Sequence, residues 1–104
     1  MDAKLKRLVT EDRRLVFLCL LSQEGDYSSN NYVMKEALAA TGHSVSGDQV
    51  ATDAAWLSEQ GLITTQKNPL PNMSVFRITS RGRDVAKGRA VVPGVKQPEP
   101  GLDY

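Results

Sequence analysis

The hydrophobic period changes at Gly61, and that change restricts the fold of this chain more than any other feature. Upstream, Val50, Ala54 and Leu57 stand at i, i+4 and i+7 and form one apolar stripe, as a helix with a single buried face requires. Ser46-Gly47-Asp48-Gln49 has the spacing of a capping box, which places the helix start at Ser46. Downstream, Leu62 to Lys67 and Met73 to Thr79 alternate with period two, the pattern of half-buried strands. Asn68-Pro69-Leu70-Pro71-Asn72 separates them and can continue neither strand, so the segment reads as a hairpin with a stiffened loop.

The remaining elements follow from similar signals. Leu15, Val16, Leu18, Cys19, Leu20 and Leu21 recur with helical spacing between Thr10 and Gln23. Thr10 is the expected cap and Gly25 the stop, and Leu5, Leu8 and Val9 can extend the helix upstream. A second helix is predicted from about Ser29 to Thr41, capped by Ser29 or Asn30 and ended by Gly42. It connects to the helix that starts at Ser46 through Gly42-His43-Ser44-Val45, and two short helices joined by a tight Gly-containing turn form a helix-turn-helix unit. Thr79 or Ser80 caps a last helix from Arg81 to Lys87. From Val92 onward Pro93, Pro98 and Pro100 interrupt the chain, which predicts a tail that is either mobile or an arm that docks elsewhere. The expected core comprises Leu15, Leu18, Leu38, Val50, Ala54, Leu57, Leu62, Ile63, Phe76 and Ile78.

At 104 residues the chain is the size of one domain. It contains one Cys and one His, too few for an internal disulfide or for the usual metal and acid-base chemistry. The expectation is a protein that is not an enzyme and needs no cofactor, metal or small-molecule substrate. Cys19 sits on the apolar face and reads as packing. There is neither an apolar run long enough to span a bilayer nor the layout of a signal peptide, which predicts a cytoplasmic protein with no membrane partner.

Charge is segregated along the chain. Residues 15–61 carry Lys35 against six carboxylates, whereas residues 62–96 carry seven cations against Asp84 alone. Such a separation points to a basic surface in the hairpin and last helix, the part suited to phosphates.

The order helix, helix, turn, helix, hairpin, helix resembles a winged-helix (winged helix-turn-helix) domain. Val50 to Ile63 is similar to the end of the recognition helix and first wing strand of winged-helix regulators. Phe76-Arg77-Ile78-Thr79-Ser80-Arg81-Gly82-Arg83 is similar to the second wing strand and Thr-x-x-Gly helix start of MarR-type and PadR-type proteins. The size and Pro-containing tail also resemble small winged-helix proteins of Mu-like bacteriophages. The resemblance implies a mainly α fold with a three-helix core, a two-stranded wing and a C-terminal helix over residues 1–91, with 92–104 as a flexible tail. It further implies a transcriptional regulator that binds double-stranded DNA, with the third helix in the major groove and the wing on the backbone.

Carried over by position, the exposed face of the third helix would be Ser46, Gly47, Asp48, Gln49, Thr52, Asp53 and Trp56, with Ser46, Gln49 and Thr52 as DNA contacts. Lys67, Arg77, Arg81 and Arg83 would meet phosphates from the wing side. The helix departs from the family because no Lys or Arg lies between Lys35 and Lys67, and phosphates repel Asp48 and Asp53. Trp56 is a packing lid, an aromatic wedge or a partner-binding anchor. His43 is a surface or capping residue. A homodimer through Leu5, Leu8, Val9 and Phe17 would supply the affinity one small domain lacks. The alternative is a winged-helix interaction or assembly module that does not bind DNA.

Overall fold

Asp2 fixes where the first helix begins. In the computed structural model, which describes residues 2–100, its carboxylate accepts from the Leu5 amide at 2.8 Å, and α1 runs from Ala3 to Gln23. Thr10, the expected cap, therefore lies inside the helix: no Gly or Pro interrupts residues 3–10, and a better cap stands upstream. Tyr27 then adopts a left-handed φ of 62° and turns the chain into a short strand, β1 (Ser28–Asn30). α2 (Asn31–Ala40) starts where the Asn30 side chain accepts from the Val33 amide at 2.9 Å. α3 (Gly47–Glu59) is capped by Ser46, whose hydroxyl accepts from the Gln49 amide at 3.1 Å.

β2 (Ile63–Lys67) and β3 (Ser74–Ile78) form the expected hairpin. The sheet nevertheless has three antiparallel strands in the order β1-β3-β2, with Ser28 opposite Arg77 and Asn30 opposite Val75. The expected two-stranded sheet thus gains β1, which covers the free edge of β3. The described residues form a mixed α/β fold of four helices and one three-stranded sheet.

All ten expected core residues are buried. Phe17 is buried as well, its ring 5.4 Å from that of Phe76, which removes it from any outward-facing dimer surface. α4 (Ser80–Ala86) is set by Thr79. The Thr79 hydroxyl accepts from the Gly82 amide at 3.0 Å and donates to the Gly61 carbonyl at 2.8 Å, so one side chain caps α4 and ties it to the end of α3. Gly82 is needed for close approach, because a Cβ there would lie 2.1 Å from the Leu62 carbonyl oxygen.

The chain beyond Val91 differs from expectation. Val92 and Val95 are buried in the core, Arg14 donates to the Gly94 carbonyl at 3.0 Å, and the Lys96 amide donates to the Glu11 carbonyl at 3.2 Å. Residues 92–96 form a strap across α1 instead of a mobile tail, since two valines three positions apart reach the core between turns. The end of the predicted tail, 101–104, lies outside the described residues. Among the described residues no helix is long and apolar enough to cross a membrane.

Two glycines give a direct test of this packing. Gly82→Ala should lower stability by about 1–3 kcal/mol or more through overpacking against backbone. Gly25→Ala, with nothing within 4 Å of the new methyl, should shift it by less than about 0.5 kcal/mol. Urea unfolding of the two variants provides the comparison.

Candidate functional site

The orientation of α3 is set from the opposite side of the core. The Arg13 guanidinium holds Asp53 through Nε at 2.5 Å and Nη2 at 3.1 Å, with Arg13 6% and Asp53 2% exposed. Gln49 Nε2 donates to the same carboxylate at 3.1 Å. Two α3 residues expected on the DNA-facing side, Gln49 and Asp53, are therefore turned toward α1. The physical reason is periodicity: Asp53 is three residues from Val50 and four from Leu57, which puts it on the buried stripe.

Trp56 is also committed to the interior side. The Arg14 guanidinium lies 3.8 Å from its ring centroid, and a Cβ on Gly94 would come within 2.6 Å of the ring. Burial pulls the Arg14 pKa below its ordinary value. A ring covered by an arginine and by the strap is a packed lid, not an open partner-binding anchor.

What α3 leaves on the surface is Gly47, Asp48, Ala51, Thr52, Ala55 and Glu59. The Thr52 hydroxyl donates to the Asp48 carbonyl at 3.0 Å, and Ser46 is occupied as the cap. This face offers two carboxylates and two methyl groups where the expected interface needed cations or amides.

The basic set divides in two. Arg77 is exposed on the open face of the central strand, in register with Thr64 on one side and Ser28 on the other. Among the described residues its side chain has no hydrogen-bonded or ion-paired partner. Its charge reaches Asp26, whose pKa is held below the usual carboxylate range chiefly by hydrogen bonding with Ser28. Lys67 is exposed at the far end of β2. Arg81 is exposed but donates to the Gln60 carbonyl at the end of α3. Arg83 is half-buried, 4.6 Å from the Tyr27 ring centroid and bonded to the Ser80 hydroxyl at 3.2 Å. Arg77 and Lys67 thus share the hairpin, whereas Arg81 and Arg83 brace α4 against its neighbours.

Asn31 was not singled out by its sequence context. Its amide donates to the Asn72 carbonyl at 2.9 Å and accepts from the Ser74 amide at 2.8 Å, pinning the hairpin loop to the start of α2. The Asn30-Asn31 pair is the only signal in the sequence: one residue caps, the next braces. Between α3 and this braced hairpin lies a groove of about 760 Å³, floored by Ala51, Ala54 and Ala55 and walled by Leu70, Met73 and Phe76. His43, expected as a surface or capping residue, is half-buried and bonds Asp12 at 2.7 Å through Nε2, and Lys96 reaches the other oxygen of Asp12 at 3.3 Å. Cys19 packs beneath α4, and burial pushes its thiol up to about 11.

The chain is 45% identical over 93 residues to the uncharacterized protein gp26 of Escherichia phage Mu, a match spanning 89% of this chain and 94% of the phage protein. It is 44% identical over 62 residues to an uncharacterized protein of Haemophilus influenzae, covering 60% of each. No family model matches the chain. This small mixed α/β protein thus has relatives in a phage and in a bacterium. It belongs to the family of phage Mu gp26.

The two surface-versus-interior aspartates of α3 should behave oppositely. Asp53→Ala strands the buried Arg13 charge and should cost about 3–5 kcal/mol, whereas Asp48→Ala, at an exposed first-turn position, should cost about 1 kcal/mol or less. Chemical unfolding distinguishes them, and equal effects would show that α3 is not oriented by Asp53.

Proposed function

We propose that this protein is a winged-helix DNA-binding protein of phage or prophage origin, a transcriptional regulator that grips the duplex backbone through its hairpin more than it reads bases through α3. The order α1-β1-α2-α3-β2-β3, with a hairpin beside the second helix of a helix-turn-helix pair, supports the winged-helix assignment. The observation that carries the DNA reading is Arg77. It stands unpaired among the described residues on the open face of β3, flanked by the hydroxyl residues Ser28 and Thr64, a donor set suited to phosphate oxygens. Lys67 extends the same hairpin toward its tip.

The exposed surface of α3 argues for weak base discrimination. Base edges are read by Arg, Lys, Asn and Gln, and here Gln49 is bonded to Asp53. Asp48 and Glu59 add repulsion toward phosphate. Such a protein positions itself by charge and depends on a second copy for useful affinity.

A second reading, a winged-helix interaction or assembly module, is favoured by one observation: the groove between α3 and the hairpin has a floor of Ala51, Ala54 and Ala55 and a mixed wall in which Leu70 and Met73 stand beside Asp48 and Lys67, a lining suited to a protein segment.

Fluorescence anisotropy on two unrelated duplexes at two salt concentrations separates the readings. Arg77→Ala should weaken binding equally on both duplexes and reduce the slope of log K against log salt by about 0.9. Asp48→Ala should tighten both. If the wild type shows no salt-sensitive binding tighter than about 0.1 mM, the loose end of non-specific association, the interaction-module reading replaces the regulator.

A further inference from the structure

The two edges of the sheet are finished differently. β1 is three residues long and passes directly into α2, and its outward-pointing Ser28 amide is taken by the Asp26 carboxylate at 3.2 Å. β2, five residues long, is the opposite edge. The Thr79 amide donates to the Leu62 carbonyl and the Asn68 amide to the Met73 carbonyl, each at 3.0 Å. Both pairs continue the β2–β3 register, and in an antiparallel pair such bonds recur at every second residue. Thr64 and Gln66 therefore bond β3, whereas the N–H and C=O groups of Ile63, Thr65 and Lys67 point away from it. Among the described residues none of these outward groups is hydrogen-bonded. Thr65 and Lys67 are exposed, and the strand has neither the bulge nor the proline that would keep an edge from pairing.

The same strand forms one wall of the α3–hairpin groove. Thr65 and Lys67 line it with Ser74 and Phe76, and the Ser58 and Thr65 hydroxyls, 2.9 Å apart, join α3 to β2. Neighbouring strands share their faces, so a strand added beside β2 would bond its outward groups and direct alternate side chains toward Ala51 and Ala55 of the groove. This is strand addition, in which backbone bonds supply affinity and pockets for alternate side chains supply selectivity. Charge narrows the choice. Lys67 is the one charge of β2 and has no ion-paired partner among the described residues, and Arg77 lies one strand in on the other face, so the edge is cationic on both faces. The groove's carboxylate, Asp48, is ten residues from Ser58 along α3, about 15 Å of helix, at the end of α3 away from the junction with β2. A second copy's β2 fits poorly here. Paired strands lie about 4.8 Å apart and packed helices about 8–10 Å, so two α3 helices, each tied to its own β2, would be forced together.

We infer that the free edge of β2 is a docking site for an extended acidic peptide segment of another protein, which adds as a fourth strand and lays alternate side chains into the α3–hairpin groove. Docking at this edge is independent of DNA, since Arg77, which carries the DNA reading, lies on the other face of the sheet.

Hydrogen exchange followed by NMR on the full chain, without DNA, tests this. The probe is the acetylated and amidated peptide Glu-Thr-Val-Thr-Val, whose Glu falls opposite Lys67 in an antiparallel addition. In the free protein the Thr65 and Lys67 amides should exchange rapidly while those of Thr64 and Gln66 are protected. The probe should slow Thr65 and Lys67 and leave Thr64 and Gln66 unchanged, and a probe with Lys in place of Glu should bind at least about twofold more weakly, the low end for a cross-strand charge pair. Thr65→Pro removes an outward N–H without touching the β2–β3 ladder and should abolish binding. Lys67→Glu, at an exposed position, should reverse the preference between the two probes, and it keeps the test intact should the proline disturb the strand. Three results would overturn the docking site: Thr65 and Lys67 already protected in dilute free protein, protection that rises with protein concentration alone, which would make a second copy the occupant, or no change at either amide up to the solubility limit of the acidic probe.

Discussion

The ion pair between Arg13 and Asp53 decides which side of α3 meets solvent. Both groups are buried, and the geometry is two-pronged, with Gln49 taking up a further lone pair of the carboxylate. A buried pair of this kind need not add net stability, because desolvation offsets attraction, but an arrangement that separates the partners would strand a charge. It therefore selects one rotation of α3 about its axis. The neighbouring residues on α1 extend the same logic. Successive side chains of a helix point about 100° apart, and Asp12, Arg13 and Arg14 reach three different segments. Asp12 takes His43 in the turn and Lys96 in the strap, Arg13 takes Asp53, and Arg14 takes Trp56 and the Gly94 carbonyl. Three consecutive residues thus anchor the turn, the third helix and the strap.

The functional consequence is that α3 spends its polar side chains inward. Gln49, Asp53 and Trp56 face α1, Ser46 caps, and Thr52 bonds its own backbone, leaving methyl groups and two carboxylates outside. A helix in that condition is suited to packing against another apolar surface and poorly suited to base edges. Positive charge that is open to a ligand lies elsewhere, on the hairpin at Arg77 and Lys67. In the function proposed above, the hairpin is the part that holds phosphate.

Much of the architecture was legible because its signals are local. The Val50, Ala54 and Leu57 stripe fixed α3, and Thr79-x-x-Gly82 marked the start of α4, its glycine required by the Leu62 carbonyl. β1 was not legible: Ser28-Ser29-Asn30 carries no alternation, and the strand forms because β3 offers a free edge and Tyr27 turns the chain toward it. The strap was missed because its prolines resemble a tail, whereas Val92 and Val95 anchor it. The site was the least legible part. Asp53 lies on the buried stripe by spacing alone, but that a carboxylate can be accommodated there depends on Arg13, forty positions away, and no local pattern connects them. Likewise Arg77, Arg81 and Arg83 are close in sequence but serve different ends, since one faces open solvent and two brace α4.

In the proposed function DNA meets the hairpin face and not α3. The most direct measurement is a heteronuclear NMR titration of the full chain with a short duplex at low salt, following the backbone amides. The shifts should concentrate at Thr64, Lys67 and Arg77 and their neighbours, with Asp48, Thr52 and Ala55 little changed. Dominant shifts along Asp48 to Ala55, or no amide moving at any duplex concentration, would contradict it.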